Sequence, residues 1–240
     1  MLARIRHRIL ALSLGLAVTT LALTAAQSTL AGELSPRQRR KVADTVRAFG
    51  AFMATRDAEI PGDMIDGAVC IAVLPDVAKG ALGVGGRYGK GLVSCRSDAG
   101  DWSPPSFIEI HGVSFGLQVG GQASDVLMAV RNAKGADYLM RDKFTMSADA
   151  SVAAGPVGRA AGAATDLAMQ AGILVWSRNR GLFAGASLDG ASCGPDKTDN
   201  RALYGRKVTM REILLPEKGK ELPTPDGVDA WIGALEKYVK

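Results

Sequence analysis

At 240 residues, 47% hydrophobic and 22% charged, the chain has the size and composition of one globular domain with its own core, and it is neither disordered nor fibrous. Two histidines and three cysteines argue against a histidine-rich metal site or a zinc enzyme, and no cofactor is expected. The net charge of +5 does not indicate a nucleic-acid binder: three of the 29 basic residues fall in the first ten positions, and the rest nearly balance 24 acidic ones.

Arg4, Arg6, His7 and Arg8 lead into an apolar run from Ile9 to Ala26, followed by small residues around Thr24-Ala25-Ala26 and Thr29-Leu30-Ala31. A charged start, an apolar middle and a small-residue exit predict a secretory signal peptide over residues 1–31, leaving one domain over 32–240 in a periplasmic or secreted location. The run is also long enough to remain as a single membrane anchor. Cys70 is the first cysteine, so no lipidated cysteine closes the run. Export permits one disulfide among Cys70, Cys95 and Cys193. Cys70 and Cys95, in neighbouring strand-like segments, are the expected pair; three buried small hydrophobes are the alternative.

Ser35-Pro36-Arg37-Gln38 has the form of a helix start, with Ser as N-cap, Pro at the first helical position and Gln closing a capping box. Val42, Val46, Phe49 and Met53 then form one apolar stripe, ending before Ile60-Pro61-Gly62. From Ala68 the pattern changes to short Val, Ile and Leu segments separated by glycines: Ala68 to Leu74, Ala81 to Tyr88, Gly91 to Cys95, Phe107 to His111 and Ser114 to Gly120. These predict strands and hairpins, and Val126 to Val130 continues the apolar run. Asn132 to Asp142 reads as a short helix, Leu167 to Trp176 and Leu182 to Leu188 as further strands, Thr209 to Leu215 as one or two helical turns, and Asp226 to Val239 as a last amphipathic helix. The expected fold is α+β, with a glycine-rich, mainly antiparallel β core and an amphipathic helix at each end.

Enzyme signatures are weak. Gly112-Val113-Ser114-Phe115-Gly116 matches a nucleophile elbow, but strand-like alternation flanks Ser114 where a strand-to-helix turn is needed, and His111 precedes the serine. Gly83-Val84-Gly85-Gly86-Arg87-Tyr88-Gly89 lacks a phosphate-loop register and reads as a hairpin with glycine turns. Asp and Glu are dispersed, with no two at a spacing that implies a shared acid–base site.

The basic cluster Arg37, Arg39, Arg40 and Lys41, with Arg47 further along the same helix, is the strongest functional signal. Each basic residue near an anionic bilayer contributes about 1 kcal/mol, so four give roughly a thousandfold in partitioning. Lys79, Arg87 and Lys90 extend a basic face or are scattered surface charges. The apolar stripe equally serves to pack the helix on the β core.

Several segments read together as a family pattern: Ile60-Pro61 with Ile71-Ala72-Val73-Leu74, Arg87-Tyr88-Gly89-Lys90-Gly91-Leu92-Val93, Trp102-Ser103-Pro104-Pro105-Ser106, then Gly155-Pro156-Val157-Gly158-Arg159, Trp176 to Gly190, and Asn200 with Tyr204-Gly205. Over about residues 35 to 215 the chain resembles the SYLF-domain family, a lipid-binding module found in bacteria and, in eukaryotes, beside Src-homology-3 or FYVE domains. Where the family often has Lys-Gly ahead of its first strand, this chain has Val69-Cys70. The resemblance implies reversible, non-catalytic binding of anionic, phosphoinositide-like phospholipid head groups through the N-terminal helix, here Ser35 to Ala54. It thereby adds Phe49, Phe52 and Met53 as a face at the acyl boundary. Some eukaryotic members bind actin, a partner not expected in an exported compartment. The competing expectation is an envelope protein that binds another protein, and the orientation of Phe49, Phe52 and Met53 separates the two.

Overall fold

The computed structural model describes residues 33–54, 60–97, 99–146, 152–155, 171–179, 182–184, 191–217 and 219–240. The expected signal peptide and residues 156–159 of the Gly155 to Arg159 motif lie outside them.

Helix α1 spans Pro36–Met53, and its start is the capping box read from the sequence. The Gln38 amide donates to Ser35 Oγ at 3.3 Å, and the Ser35 amide donates to Gln38 Oε1 at 3.0 Å. Its buried side comprises Val42, Thr45, Ala48, Phe49, Phe52 and Met53, with Val46 only half-buried. A short helix α2, Gly62–Asp66, follows.

Two long strands dominate the β region: β1, Cys70–Cys95, and β2, Ser106–Val130, antiparallel over most of their length. Five separate strand segments were expected here. The intervening glycines lie inside the strands, not in turns, so the predicted glycine-turn hairpin over 83–89 is corrected to continuous strand.

A straight strand of 26 residues would span roughly 85 Å at 3.3 Å per residue. Its end residues nevertheless have Cα atoms 3.9 Å apart, joined by the Cys70–Cys95 disulfide. The strand must therefore coil back on itself. Its two ends run past each other in antiparallel sense: the Arg96 amide donates to the Val69 carbonyl at 2.7 Å, Gly91 lies against Val73, and Gly89 against Val77. Register shifts between Leu74 and Val77 and between Ala81 and Gly83 supply bends. At the first, Asp76 takes φ 51° and its amide donates to Asp125 Oδ1 at 3.1 Å. Arg178 in turn holds that carboxylate at 3.0 Å.

The remaining elements are α3 (Ala133–Leu139), β3 (Phe144–Thr145), β4 (Val152–Ala154), β5 (Ile173–Asn179), β6 (Leu182–Ala184), β7 (Ser192–Pro195), α4 (Lys197–Tyr204), α5 (Met210–Leu214) and α6 (Asp229–Tyr238). Strand order in the sheet is β3-β7-β2-β5-β4, with β1 on the other edge of β2 and β6 beside β5. Among the described residues, only β4 and β5 pair in parallel. This is an α+β fold, mainly antiparallel.

Alternate residues feed two cores. Ile71 and Val73 face α1, α2 and α6 with Phe49, Phe52, Trp176 and Trp231; Ala72 and Leu74 face α3 and α5 with Leu139, Ile213 and Leu214. A sheet covered on both faces explains why Ile71 to Leu74 and Val126 to Val130 read as unbroken apolar runs. Phe49 meets Trp231 and Tyr238 edge-on, with ring centroids 5.7 and 5.8 Å apart, and Trp231 Nε1 donates to Ser94 Oγ at 3.0 Å.

The family-pattern residues have packing roles. Asn200 Oδ1 accepts from the Phe107 amide at 2.7 Å, while its Nδ2 donates to Ser106 Oγ and the Phe107 carbonyl. The Tyr204 hydroxyl donates to the Pro105 carbonyl at 2.7 Å. A Cβ on Gly155 would lie 2.0 Å from the Trp176 ring. Among the described residues, no helix is long and apolar enough to cross a membrane.

Candidate functional site

Arg37 and Lys41 are four residues apart, so they share one side of α1. That side borders a cleft of about 260 Å³, whose other walls are Tyr88 and Lys90 from β1, Asp76 from the bulge, and Asp199 from α4. Basic residues from two parts of the sequence, Arg37 and Lys41 on α1 and Lys90 on β1, thus meet in space.

Asp196 is the N-cap of α4, its Oδ1 accepting from the amides of Thr198 and Asp199 at 3.1 and 3.0 Å. Lys90 forms ion pairs with the buried Asp196 and, at 2.9 Å, with Asp199. Gln38 Nε2 donates to the Asp199 carbonyl at 3.1 Å, tying α1 to α4. Burial alone would lower the Lys90 pKa, but hydrogen bonds to both carboxylates outweigh it and hold the ammonium above its ordinary value. Burial works to raise Asp196 too, yet hydrogen bonds from Asp199 and Lys90 bring it below the usual carboxylate range. Asp199 stays raised, by burial and by the adjacent Asp196.

Lys41 differs. Partial burial lowers its pKa against the pull of Asp44 and Asp76, and among the described residues neither it nor Arg37 makes a salt bridge. A half-buried cation without a direct counter-ion gains from an incoming anion. Lys90 is already neutralised, so Arg37 and Lys41 are the cations of the cleft open to a ligand.

The other expected site residues are dispersed. Arg39 pairs with Glu33 at 3.2 Å and Arg47 with Asp44 at 2.6 Å, both exposed on α1, as is Arg40. Lys79 alternates with the cleft residue Ala78 and so lies on the opposite face of β1. Arg87 lines a different cleft. Phe49, Phe52 and Met53 are 0%, 0% and 7% exposed. Their expected place at an acyl boundary is therefore corrected: all three fill the core beneath α1, where the curled sheet and α6 cover that face.

Sequence reasoning missed Asp196 and Asp199. No acids were expected at a spacing that implies a shared acid–base site, and these two meet as ion-pair partners of Lys90; the signal was an Asp at N-cap spacing before the helix 197–204. Tyr88 and Asp76 were missed as well, being brought in by the coil of β1. Cys193 is buried and burial raises its thiol pKa, leaving it unreactive. Ser114 lies within β2 opposite Gly85, with no strand-to-helix turn around it. No cluster of three His, Cys, Asp or Glu residues suited to a metal occurs among the described residues.

Fold and site together define a class: a helix-covered, self-closing β sheet with a basic cleft between its first helix and its first strand. The chain matches the family model described as Ysc84, Las17-binding protein actin regulator, over residues 111–238, and it belongs to that family. It is 31% identical over 194 residues to SH3 domain-containing YSC84-like protein 1 of Xenopus laevis, covering 77% of this chain and 58% of the relative. Against the Homo sapiens protein of the same name it is 29% identical over 204 residues, 84% of this chain and 59% of the relative. LAS seventeen-binding protein 3 of Saccharomyces cerevisiae is 32% identical over 193 residues, 79% and 40% of the two chains. The chain thus spans less than two thirds of the length of these relatives.

Proposed function

We propose that the chain is an exported, peripheral membrane-binding module that holds anionic, phosphoinositide-like phospholipid head groups reversibly at Arg37 and Lys41, with Arg40 and Arg47 beside them. The observation that carries this reading is the convergence of Arg37 and Lys41, without salt-bridge partners among the described residues, on a cleft rimmed by Tyr88. The Cys70–Cys95 disulfide fits an oxidising compartment. With Phe49, Phe52 and Met53 buried, binding rests on charge and not on insertion into acyl chains. Arg37, Arg40 and Lys41 at about 1 kcal/mol each give roughly a hundredfold partitioning that salt removes, Arg47 being paired with Asp44.

A second reading is favoured by the same burial: an envelope domain that binds another protein, as the yeast relative is named for doing. Actin, which the family description names, is not expected in the compartment this reading assigns.

Co-sedimentation of the purified protein with neutral and anionic liposomes at low and high salt separates the two. Anionic-selective, salt-sensitive binding that is lost when Arg37, Arg40, Lys41 and Arg47 are changed to Gln supports the lipid reading. Absence of binding to every vesicle leaves the protein-partner reading.

A further inference from the structure

Three large apolar side chains stand exposed among the described residues: Tyr88 at 44%, Val113 at 63% and Leu215 at 38%. Scattered exposed hydrophobics are ordinary, but these are not scattered. Each lines a cleft with basic residues, and the clefts of Val113 and Leu215 are linked through a third by shared lining residues.

Tyr88 and His111 are cross-strand partners with ring centroids 5.0 Å apart, so they share one face of the sheet. His111 also stands opposite Ser192 of β7 on that face. Beyond this ring pair opens a second cleft, about 550 Å³, lined by Val113, His111 and Lys143. Asp142 and Pro195 border both it and a third cleft of about 560 Å³, which holds Lys197, Arg201 and Lys207 over a floor of Val208 and Met210. Thr209 and Glu212 border that cleft and a fourth of about 420 Å³, where Leu215 lies. The result is one groove from the β1–β2 face across α4 and α5.

Charge along the groove is uneven. Four acids line these clefts: Asp142 pairs with Lys197, Glu212 with Arg206 and Glu217 with Lys220, while Glu109 lies 3.1 Å from His111, whereas Lys143, Arg201 and Lys207 make no ion pair among the described residues. Three unpaired cations thus lie between two exposed apolar side chains, Val113 at one end and Leu215 at the other. A bilayer surface is flat and its head groups offer nothing apolar to Val113 and Leu215. An extended polypeptide supplies both kinds of side chain in turn.

We propose that this groove receives an extended acidic segment of a partner protein, carboxylates meeting Lys143, Arg201 and Lys207 while apolar side chains settle against Val113 and Leu215. Complementary charge fixes register and speeds association. The site does not include Arg37 or Lys41, so it stands whether or not the lipid reading does.

The probe is a fluorescein-labelled peptide repeating Asp-Leu-Asp-Ser, with a Lys-for-Asp peptide as control, titrated by fluorescence anisotropy against the purified full chain. The acidic peptide binds and the basic one does not. The double substitution Arg201→Glu and Lys207→Glu, both at exposed positions and therefore tolerated by the fold, weakens binding at least tenfold while vesicle co-sedimentation is unchanged. No binding of the acidic peptide, or binding indifferent to those reversals, overturns the proposal. Loss of vesicle binding in the double variant, with peptide binding retained, also overturns it and makes the groove a membrane-facing surface.

Discussion

Gly91 lies so close to Val73 that a Cβ built on it would sit 1.9 Å from the Val73 carbonyl oxygen and 2.7 Å from the Leu74 Cα. The obstacle is backbone, which cannot rotate aside, and it marks where the two ends of β1 pass each other. Gly91→Ala is expected to destabilise by about 3 kcal/mol or more, by forcing the crossing apart. Gly80, in the same strand, has nothing within 4 Å of a built Cβ, so Gly80→Ala should stay within about 1 kcal/mol of wild type. Urea midpoints of the two variants check the contrast; equal effects would contradict the crossing.

Lys90 and its two carboxylates set a pH dependence. The raised Lys90 contributes stability that is complete below its ordinary value of 10.5 and is lost as pH climbs through its higher folded value. The depressed Asp196 contributes above its ordinary 3.8 and loses this as pH falls through its lower folded value. Asp199, raised, subtracts a little once it ionises. Lys90→Met, which strands the buried Asp196, should cost about 2 kcal/mol near neutrality, discounted for the partial exposure of Lys90 and Asp199. Thermal melts should show that gap narrowing below about pH 4 and above about pH 10; a gap constant down to pH 3 would show that charge is not its source.

The Cys70–Cys95 disulfide links residues 25 apart in sequence. Chain entropy alone makes such a link worth about 3 kcal/mol. Reduction, or Cys70→Ala with Cys95→Ala, should lower the melting temperature by roughly 10 °C in a domain of this size. Calorimetry with and without reductant measures it.

Asn200 satisfies both the N–H and the C=O of Phe107 from a fully buried position. Asn200→Leu keeps the volume and removes the bonds, leaving a buried backbone donor unpaired at a cost of about 2 to 3 kcal/mol. Asn200→Asp should retain the Phe107 amide bond but lose both Nδ2 bonds, so it too is destabilised. Denaturant unfolding of both variants tests whether the family's asparagine is structural.

Local signals carried the first and last helices, while α2 and α4 were not expected. Ser35 with Gln38 and the apolar spacing of Trp231 and Leu235 are decided within a few residues, so α1 and α6 were legible. The β region was not segmented correctly, because glycines at 80, 83, 89 and 91 look like turns locally while all four lie inside one strand, where Gly89 and Gly91 let strand pass strand. Whether a glycine ends a strand or bends it depends on a residue far along the chain, such as Val73 against Gly91. The site shows the same limit: Arg37 and Lys41 were visible as helix neighbours, but Lys90, Asp196 and Asp199 join them only through the coil of β1 and the docking of α4. The apolar stripe of α1 was legible as a stripe; that it faces Trp231 and not a bilayer was decided by an element near residue 230.

Phe49 is enclosed by Trp231 and Tyr238, so the first helix acquires its lid from the last. A chain that emerges N-terminus first holds the α6-facing side of Phe49 uncovered until nearly all of it has been made. During that interval the helix keeps an apolar edge beside β1, and arrival of α6 completes its burial. Any affinity of α1 for apolar surfaces is in that sense a property of the newborn chain, and maturation is what withdraws it.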